Sequence, residues 1–444
     1  MTVAVNRPNE LAPVVAERCA PPEPQRGSVA DAWNQACRCA SVDLAALRDE
    51  MERRLDADRL PATLAETHPH LFSALPVFIG RAHANRMAAV TAAVETVVSL
   101  PAYREAALAY APEIARHDPG TRGVFLGLDF HVSVDGPKLI EINTNAGGAL
   151  LAGTLAEAQR ACCQEVRAVM HDQQSLAGLE RRLWEMFLAE WRVAGRDGAP
   201  RTVAIVDDDP PGQYLYAEFL LFARLFERFG LRAFTVDPAA LDYQGGALRV
   251  DGEPIDLVYN RLTDFALQAP GHAGLRAAYL DRAAVITPHP RAHALFADKR
   301  NLALLGEETA LRRFGASSAT IETLVAAIPR TEAVRAGEAE RLWAERKRLF
   351  FKPYAGYGSR GAYRGDKLTR RVFEEILAGG YVAQSLVPPA ERIALAEEDM
   401  PLKFDVRNYA YAGEVQLLAA RLWRGQTTNF RSVGGGFAPV FVLP

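Results

Sequence analysis

The side chains best suited to chemistry lie in a few short stretches far apart in the chain. Residues 138 to 148, KLIEINTNAGG, present Glu141 and Asn143 two positions apart. On a strand such residues share a face, while Ile140 and Ile142 point to the other side. One or two carboxylates with amide oxygens suit a hard cation such as Mg²⁺ that also binds a substrate phosphate. Asp129, in GVFLGLDFHVSV, would add a second carboxylate. Its face depends on the turn between the runs: a loop of odd length sets it beside Glu141 and Asn143, a two-residue loop turns it away. A strand end whose polar groups bond the next turn would explain the same residues without a metal.

The stretch FFKPYAGYGSRGAY delivers Lys352 and then Gly356, Gly358, Ser359, Arg360 and Gly361. Glycines let backbone N–H groups approach phosphate oxygens, and a lysine adds a point charge. The spacing fits neither a P-loop nor a dinucleotide-binding fingerprint. A glycine-rich surface hairpin is the plain alternative. Further on, FDVRNYAY and LLAARLWRGQTTNFRSVGGG bring Arg407, Arg421, Asn429 and Arg431 ahead of three glycines, and guanidinium groups suit phosphate or carboxylate recognition. Arginine is common here, 45 residues against 6 lysines, so each lysine carries more information than each arginine.

The elements that must hold these residues are legible in outline. Hydrophobic residues make up 49%, charged residues 24% and the net charge is -3, an ordinary globular balance with no basic excess for nucleic acid. Length allows two or three domains. Five cysteines, at 19, 37, 39, 162 and 163, form no secreted disulfide pattern, and no run is long and apolar enough to span a membrane, so a cytoplasmic protein is expected. Residues 1–40 read as a partly disordered tail and 41–118 as helical. Within 119–195 two strands joined by a tight turn precede further helix. Over 196–298, RTVAIVDDDPP opens a strand-helix-strand pattern that predicts a parallel sheet. Residues 299–444 alternate helices, strands and glycine-rich loops. The fold class is therefore α/β, or α+β overall. His289 and His293, His68 and His70, and Cys37 with Cys39 lack a ligand set at zinc spacing. Asp207, Asp208 and Asp209, with Asn260 and Arg261, would sit beyond the carboxyl ends of the parallel strands, where substrates bind or where acids cap helices.

Together ADKRN, FFKP, GYGSRG, YVAQSLV, DVR, AAR, TTNFRSVGGG, GLDF and EINTN resemble the ATP-grasp ligases, the superfamily of D-alanine:D-alanine ligase and the glutathione synthetases. In most of that superfamily Glu-x-Asn comes last; here it comes first. The resemblance is therefore to a circularly permuted ATP-grasp fold, similar to glutathione synthetases and glutathionylspermidine synthetase-like proteins, with the 196–298 region as its parallel-sheet pre-ATP-grasp domain. It covers roughly residues 119 to 165 and 200 to 444, and it would place Pro444 near a helix at 101 to 117. The resemblance implies an ATP- and Mg²⁺-dependent carboxylate–amine ligase working through an acyl phosphate on a small metabolite or short peptide, with two metal ions and Mn²⁺ able to substitute. An ATP-grasp kinase and a non-catalytic nucleotide-binding protein are the alternatives, and a homodimer is left open. It implies that Lys299, Lys352, Gly356, Gly358, Ser359 and Gly361 bind phosphates; that Gln384, Ser385 and Val387 contact adenine and Glu391 the ribose; that Asp129, Glu141 and Asn143 hold metal; and that Arg407, Arg421, Asn429 and Arg431 grip the reacting group. Gly127 stands where several relatives carry an arginine.

Overall fold

A computed structural model describes residues 28–37, 40–55, 64–133, 135–159, 175–356, 361–394 and 400–444. Three sheets frame the site. The largest is antiparallel and runs, from one edge, through Gly436–Ala438, Glu414–Trp423, Leu402–Tyr411, Leu126–Ser133 and Gly136–Asn143, with Ala390–Arg392 paired to Leu402–Tyr411. Strands from the start and the end of the sequence thus share one sheet. A second antiparallel sheet orders Thr331–Ala333, Tyr381–Ser385, Leu349–Pro353 and Tyr363–Arg364. The third is parallel, in the order Val285–Thr287, Leu257–Asn260, Thr202–Val206 and Arg232–Val236, as the strand-helix-strand pattern anticipates.

The N-terminal region departs from its reading in two places. Val29–Ala36, assigned to the tail, is a helix with a capping box between Ser28 and Asp31. Its Trp33 packs edge-on against Phe78 at 4.8 Å, and buried Asn34 exchanges two hydrogen bonds with the Phe78 backbone, so packing and paired polar groups hold the segment in place. Within the region read as helical, Val77–Gly80 is a strand, paired in parallel with Val440–Leu443. A four-residue apolar run gives periodicity too little length to tell strand from helix. The register sets Leu443 opposite Gly80, at the start of the helix Arg81–Ser99. The chain end therefore lies beside the start of Arg81–Ser99 and not beside the expected 101 to 117 segment, from which that 19-residue helix separates it.

The core is built where these layers meet. Val90, Val94 and Val97 from Arg81–Ser99 pack with Leu128, Phe130, Val406 and Leu422 of the large sheet. A single carboxylate then ties the sheets together. Buried Glu190, on the helix Leu176–Val193, accepts from the backbone N–H of Arg122 (3.1 Å) and Gly123 (2.8 Å), from Thr287 Oγ1 (2.8 Å) and from Tyr411 OH (2.8 Å). Glu190→Ala leaves these donors without their acceptor and should cost about 3 kcal/mol or more in chemical denaturation, whereas a loss within 0.5 kcal/mol would refute that role.

Candidate active site

Whether Asp129 faces Glu141 is decided by one extra residue. The turn after Ser133 spans two residues, with Ser133 opposite Gly136, and uninterrupted pairing would set Asp129 across from Ile140. A bulge between Asp129 and Phe130 restores the other parity, pairing Asp129 with Glu141 and Gly127 with Asn143. All three predicted metal ligands therefore share a face. The bulged Ile140 accepts a 2.7 Å hydrogen bond from Lys352 Nζ at its carbonyl, which joins the two antiparallel sheets.

A cavity of about 400 Å³ lies between those sheets. Asp129, Glu141, Asp405 and Arg421 line it from the large sheet, and Lys352 and Gln384 from the smaller one. Lys299 enters from the start of the helix Arg300–Leu305. Its Nζ pairs with Glu141 Oε1 at 2.9 Å and donates to the Gly356 carbonyl at 3.0 Å. Arg407 grips Asp129 with two parallel bonds, Nε to Oδ1 at 2.6 Å and Nη2 to Oδ2 at 2.7 Å. Arg421 bridges Asp129 Oδ2 (2.9 Å) and both oxygens of Asp405 (2.9 Å each), and Thr428 Oγ1 completes the Asp405 shell. Asn143 Nδ2 donates to Asp129 Oδ2 at 3.1 Å. Four fixed cations thus meet three carboxylates, an excess suited to a polyanion.

Electrostatics follow from this packing. Burial alone would raise the Asp129 and Glu141 carboxyls; Arg407 and Arg421 hold Asp129 below the ordinary range, and Lys299 and Lys352 do the same for Glu141. Burial pulls the Lys352 ammonium down to about 8, with Glu141 opposing it and Lys299 reinforcing it. A phosphate ligand binds the charged form, so, on the expectation that the cavity takes ATP, its affinity should fall about tenfold from pH 7 to pH 9. Titration of fluorescent ATP at both pH values checks this, and Lys352→Met should flatten the profile; an equally steep profile in that variant would contradict it.

Some predicted residues have other duties. Asn429 organises its loop: Nδ2 donates to the Arg424 and Thr427 carbonyls, and Oδ1 accepts from Arg431 N and Ser432 Oγ. Arg431 is exposed and outside the cavity lining. Gly434 and Gly436 meet residues 70 to 73 instead: the Gly434 carbonyl accepts from Ser73 Oγ at 2.8 Å, and Gly436 has φ +113°, where a Cβ would lie 2.6 Å from the His70 and Leu71 carbonyls. Gln384, expected at adenine, accepts from Lys352 (2.9 Å) and donates to Thr331 Oγ1 (3.1 Å). The Ser385 N–H is used by the Arg330 carbonyl, and the Val387 carbonyl accepts from His131 Nδ1 at 2.7 Å. Glu391 does line the cavity, opposite Lys403, as do Gly356, Ser385 and Val387. Gly361 is described, at φ +68°, while Gly358 and Ser359 lie outside the described residues. A side chain at Gly127 would meet Ala146 at 2.6 Å and Arg407 at 3.1 Å, so its absence gives Arg407 its path to Asp129.

Asp405 and His131 were not singled out from sequence. The signal for Asp405 was present, since Asp-x-Arg puts it on the face of Arg407; His131 stands two residues beyond Asp129 by the same rule. His289 is buried and His293 half-buried, and neither lines the nucleotide-sized cavity. Burial pushes His289 down to about 4 and His293 to about 3, and His289 Nδ1 caps the turn at Ala292. Cys37 is buried beside Trp33; Cys39 is outside the described residues. At the parallel sheet, Asp208 and Asp264 both bond His272 at 2.8 Å, and Asp207, Asn260 and Arg261 are buried. No group of three or more His, Cys, Asp or Glu side chains poised for a metal occurs among the described residues, and none of their helices is long and apolar enough to cross a membrane.

Among solved structures, a glutathione synthetase-like effector from Globodera pallida in its apo form aligns with a TM-score of 0.54 over 90% of this chain and 98% of that one, at 12% identity. The chain shares the fold of that effector. A candidate gamma-glutamylcysteine synthetase from Methylobacillus flagellatus KT aligns at TM-score 0.44 and 9% identity over 76% of this chain and 83% of that one. The ATP-grasp ligase PsnB, solved with a variant of its minimal precursor, Mg and ADP, aligns at 0.26 and 19% over 48% of this chain and 87% of that one. No protein-family model and no curated protein matches the chain. In this chain the early Asp129 and Glu141 strands complete the sheet begun by the late Arg407 and Arg421 strands.

Proposed function

We propose that the protein is an ATP- and Mg²⁺-dependent carboxylate–amine ligase built on a circularly permuted ATP-grasp fold. The observation that carries the reading is the meeting of Lys299, Lys352 and Arg421 with Asp129 and Glu141 in one cavity between two antiparallel sheets, with Arg407 holding Asp129 from behind. Lys299 and Lys352 hold nucleotide phosphates, and the apolar wall of Ile140, Phe350, Leu386 and Trp423 receives the base. The shared sheet and the pairing of Leu443 with Gly80 support the permuted order.

Glu141 and the Asn143 carboxamide offer hard oxygens of the kind Mg²⁺ requires on the face they share with Asp129, whose own oxygens are held by Arg407, Arg421 and Asn143 and would join the ion only by giving up one of those bonds. Bound there with ATP, the ion would neutralise charge on the phosphates. In the first step a carboxylate oxygen of the substrate attacks the γ-phosphorus and ADP leaves, giving an acyl phosphate. An amine nitrogen then attacks the acyl carbon; the carbon–nitrogen bond forms, the carbon–oxygen bond to phosphate breaks, and phosphate departs with the amine proton. Arg421 positions the transferred group, and the acyl phosphate is protected to the extent that bound substrates displace water from the cavity. ADP release measured against panels of acids and amines tests this. Turnover should need one of each; steady turnover with a single acceptor would instead identify a kinase, and ATP binding without turnover a regulatory protein.

A further inference from the structure

A second, smaller cavity of about 60 Å³ adjoins the nucleotide cavity and shares Lys299 and Gly356 with it. Its other wall brings Asn143 and Asn145, from the end of the Glu141 strand, against His293 and against Thr263 and Phe265, which follow the parallel-sheet strand Leu257–Asn260. Asn145 is fixed in orientation: its Nδ2 donates to the carbonyls of Arg261 and Leu262 (3.1 Å to the latter), so the Oδ1 faces the opposite way. That Oδ1 is buried and has no hydrogen-bond partner. The same holds for His293 Nε2, whose ring stacks on Phe265 at 3.7 Å and whose Nδ1 lies 3.2 Å from Thr144 Oγ1. Buried polar atoms left unpaired are costly, and two of them on residues that line one cavity mark a place where a ligand could supply the missing partner.

We propose that this cavity seats the nitrogen of the amine substrate, whose N–H donates to Asn145 Oδ1 and which His293 Nε2 contacts from the facing wall. The inference rests on the ligase reading above and names the substrate class at that site. An amide oxygen can only accept, so its partner is a donor. The Lys299 ammonium on the shared wall disfavours a second cation and selects the unprotonated amine, which is the nucleophilic form. The volume holds about four or five waters, enough for an aminomethyl head and not for a whole peptide. The remainder of the substrate extends past Thr263 toward the carboxyl edge of the parallel strands, where open sheets take ligands.

The test is calorimetric titration of the full-length protein, saturated with Mg²⁺ and AMPPNP at pH 8, with a panel of alkyl amines, diamines and amino acid amides, and a matched panel of acids lacking an amine. At least one amine class should bind, and Asn145→Leu and His293→Phe should each weaken it tenfold or more while AMPPNP affinity stays within twofold. His293→Phe keeps the aromatic stack and removes only the nitrogens, so it decides the matter if Asn145→Leu does not fold. The proposal is overturned if no amine binds, if amines bind His293→Phe as they bind the wild type, or if the ligands sensitive to Asn145→Leu are acids without an amine. Failure of the wild type to bind Mg–AMPPNP would instead overturn the nucleotide reading.

Discussion

Glu141→Gln should lower ADP release by about a thousandfold or more while the protein stays folded and still binds ATP. The change is isosteric and removes one negative charge, at a side chain that is 27% exposed and paired only with Lys299 Nζ at 2.9 Å. Because the carboxylate competes with nucleotide phosphates for Lys299, metal-free ATP should bind the variant at least as well as the wild type. Turnover above about a tenth of the wild-type rate would remove Glu141 from the metal site. Lost ATP binding would show instead that the carboxylate serves to position Lys299.

Asp129→Ala has the larger effect on stability. Asp129 is 1% exposed and takes both bonds of Arg407 and one of Arg421, so its removal leaves the buried Arg407 guanidinium with uncompensated charge and Arg421 with Asp405 alone. Breaking such a pair costs about 3–5 kcal/mol, to be read from urea denaturation, and turnover should be lost as well. The pH dependence has a definite sign. The carboxyl is held below its unfolded value, so its contribution is fully present above the ordinary aspartate range and is lost as pH falls through the depressed value. Between pH 7 and pH 3 the stability gap between wild type and Asp129→Ala should therefore begin to narrow only at the acid end. A gap that closes near neutrality would contradict this assignment.

Much of the site could be read before the fold because its chemistry needs rare residue types at fixed intervals. Lys299 and Lys352 stood out among six lysines, and Glu141 with Asn143, or Asp405 with Arg407, follow the two-residue period of a strand. The parallel sheet was legible in the same way, since its buried strands read as continuous apolar runs. What escaped depends on contacts between distant segments. Whether Asp129 faces Glu141 turned on a bulge at Ile140, which the carbonyl bond to Lys352 accompanies 212 residues away in sequence. Asn429 and Gln384 have the right chemistry for ligand contact but spend it on the Arg424 and Thr427 carbonyls and on Lys352. The strand Val77–Gly80 exists because Val440–Leu443 pairs with it, and no local pattern carries that information.

The most direct test of the account follows the carboxylate oxygen itself. With an acid and amine found by the ADP-release screen, the acid is labelled with ¹⁸O in its carboxylate and turned over with ATP and Mg²⁺. The released phosphate is then examined by ³¹P NMR. An acyl-phosphate ligase predicts one ¹⁸O in each phosphate formed, because the carboxylate oxygen that attacks phosphorus leaves with it. Unlabelled phosphate accompanying continued product formation would contradict the mechanism.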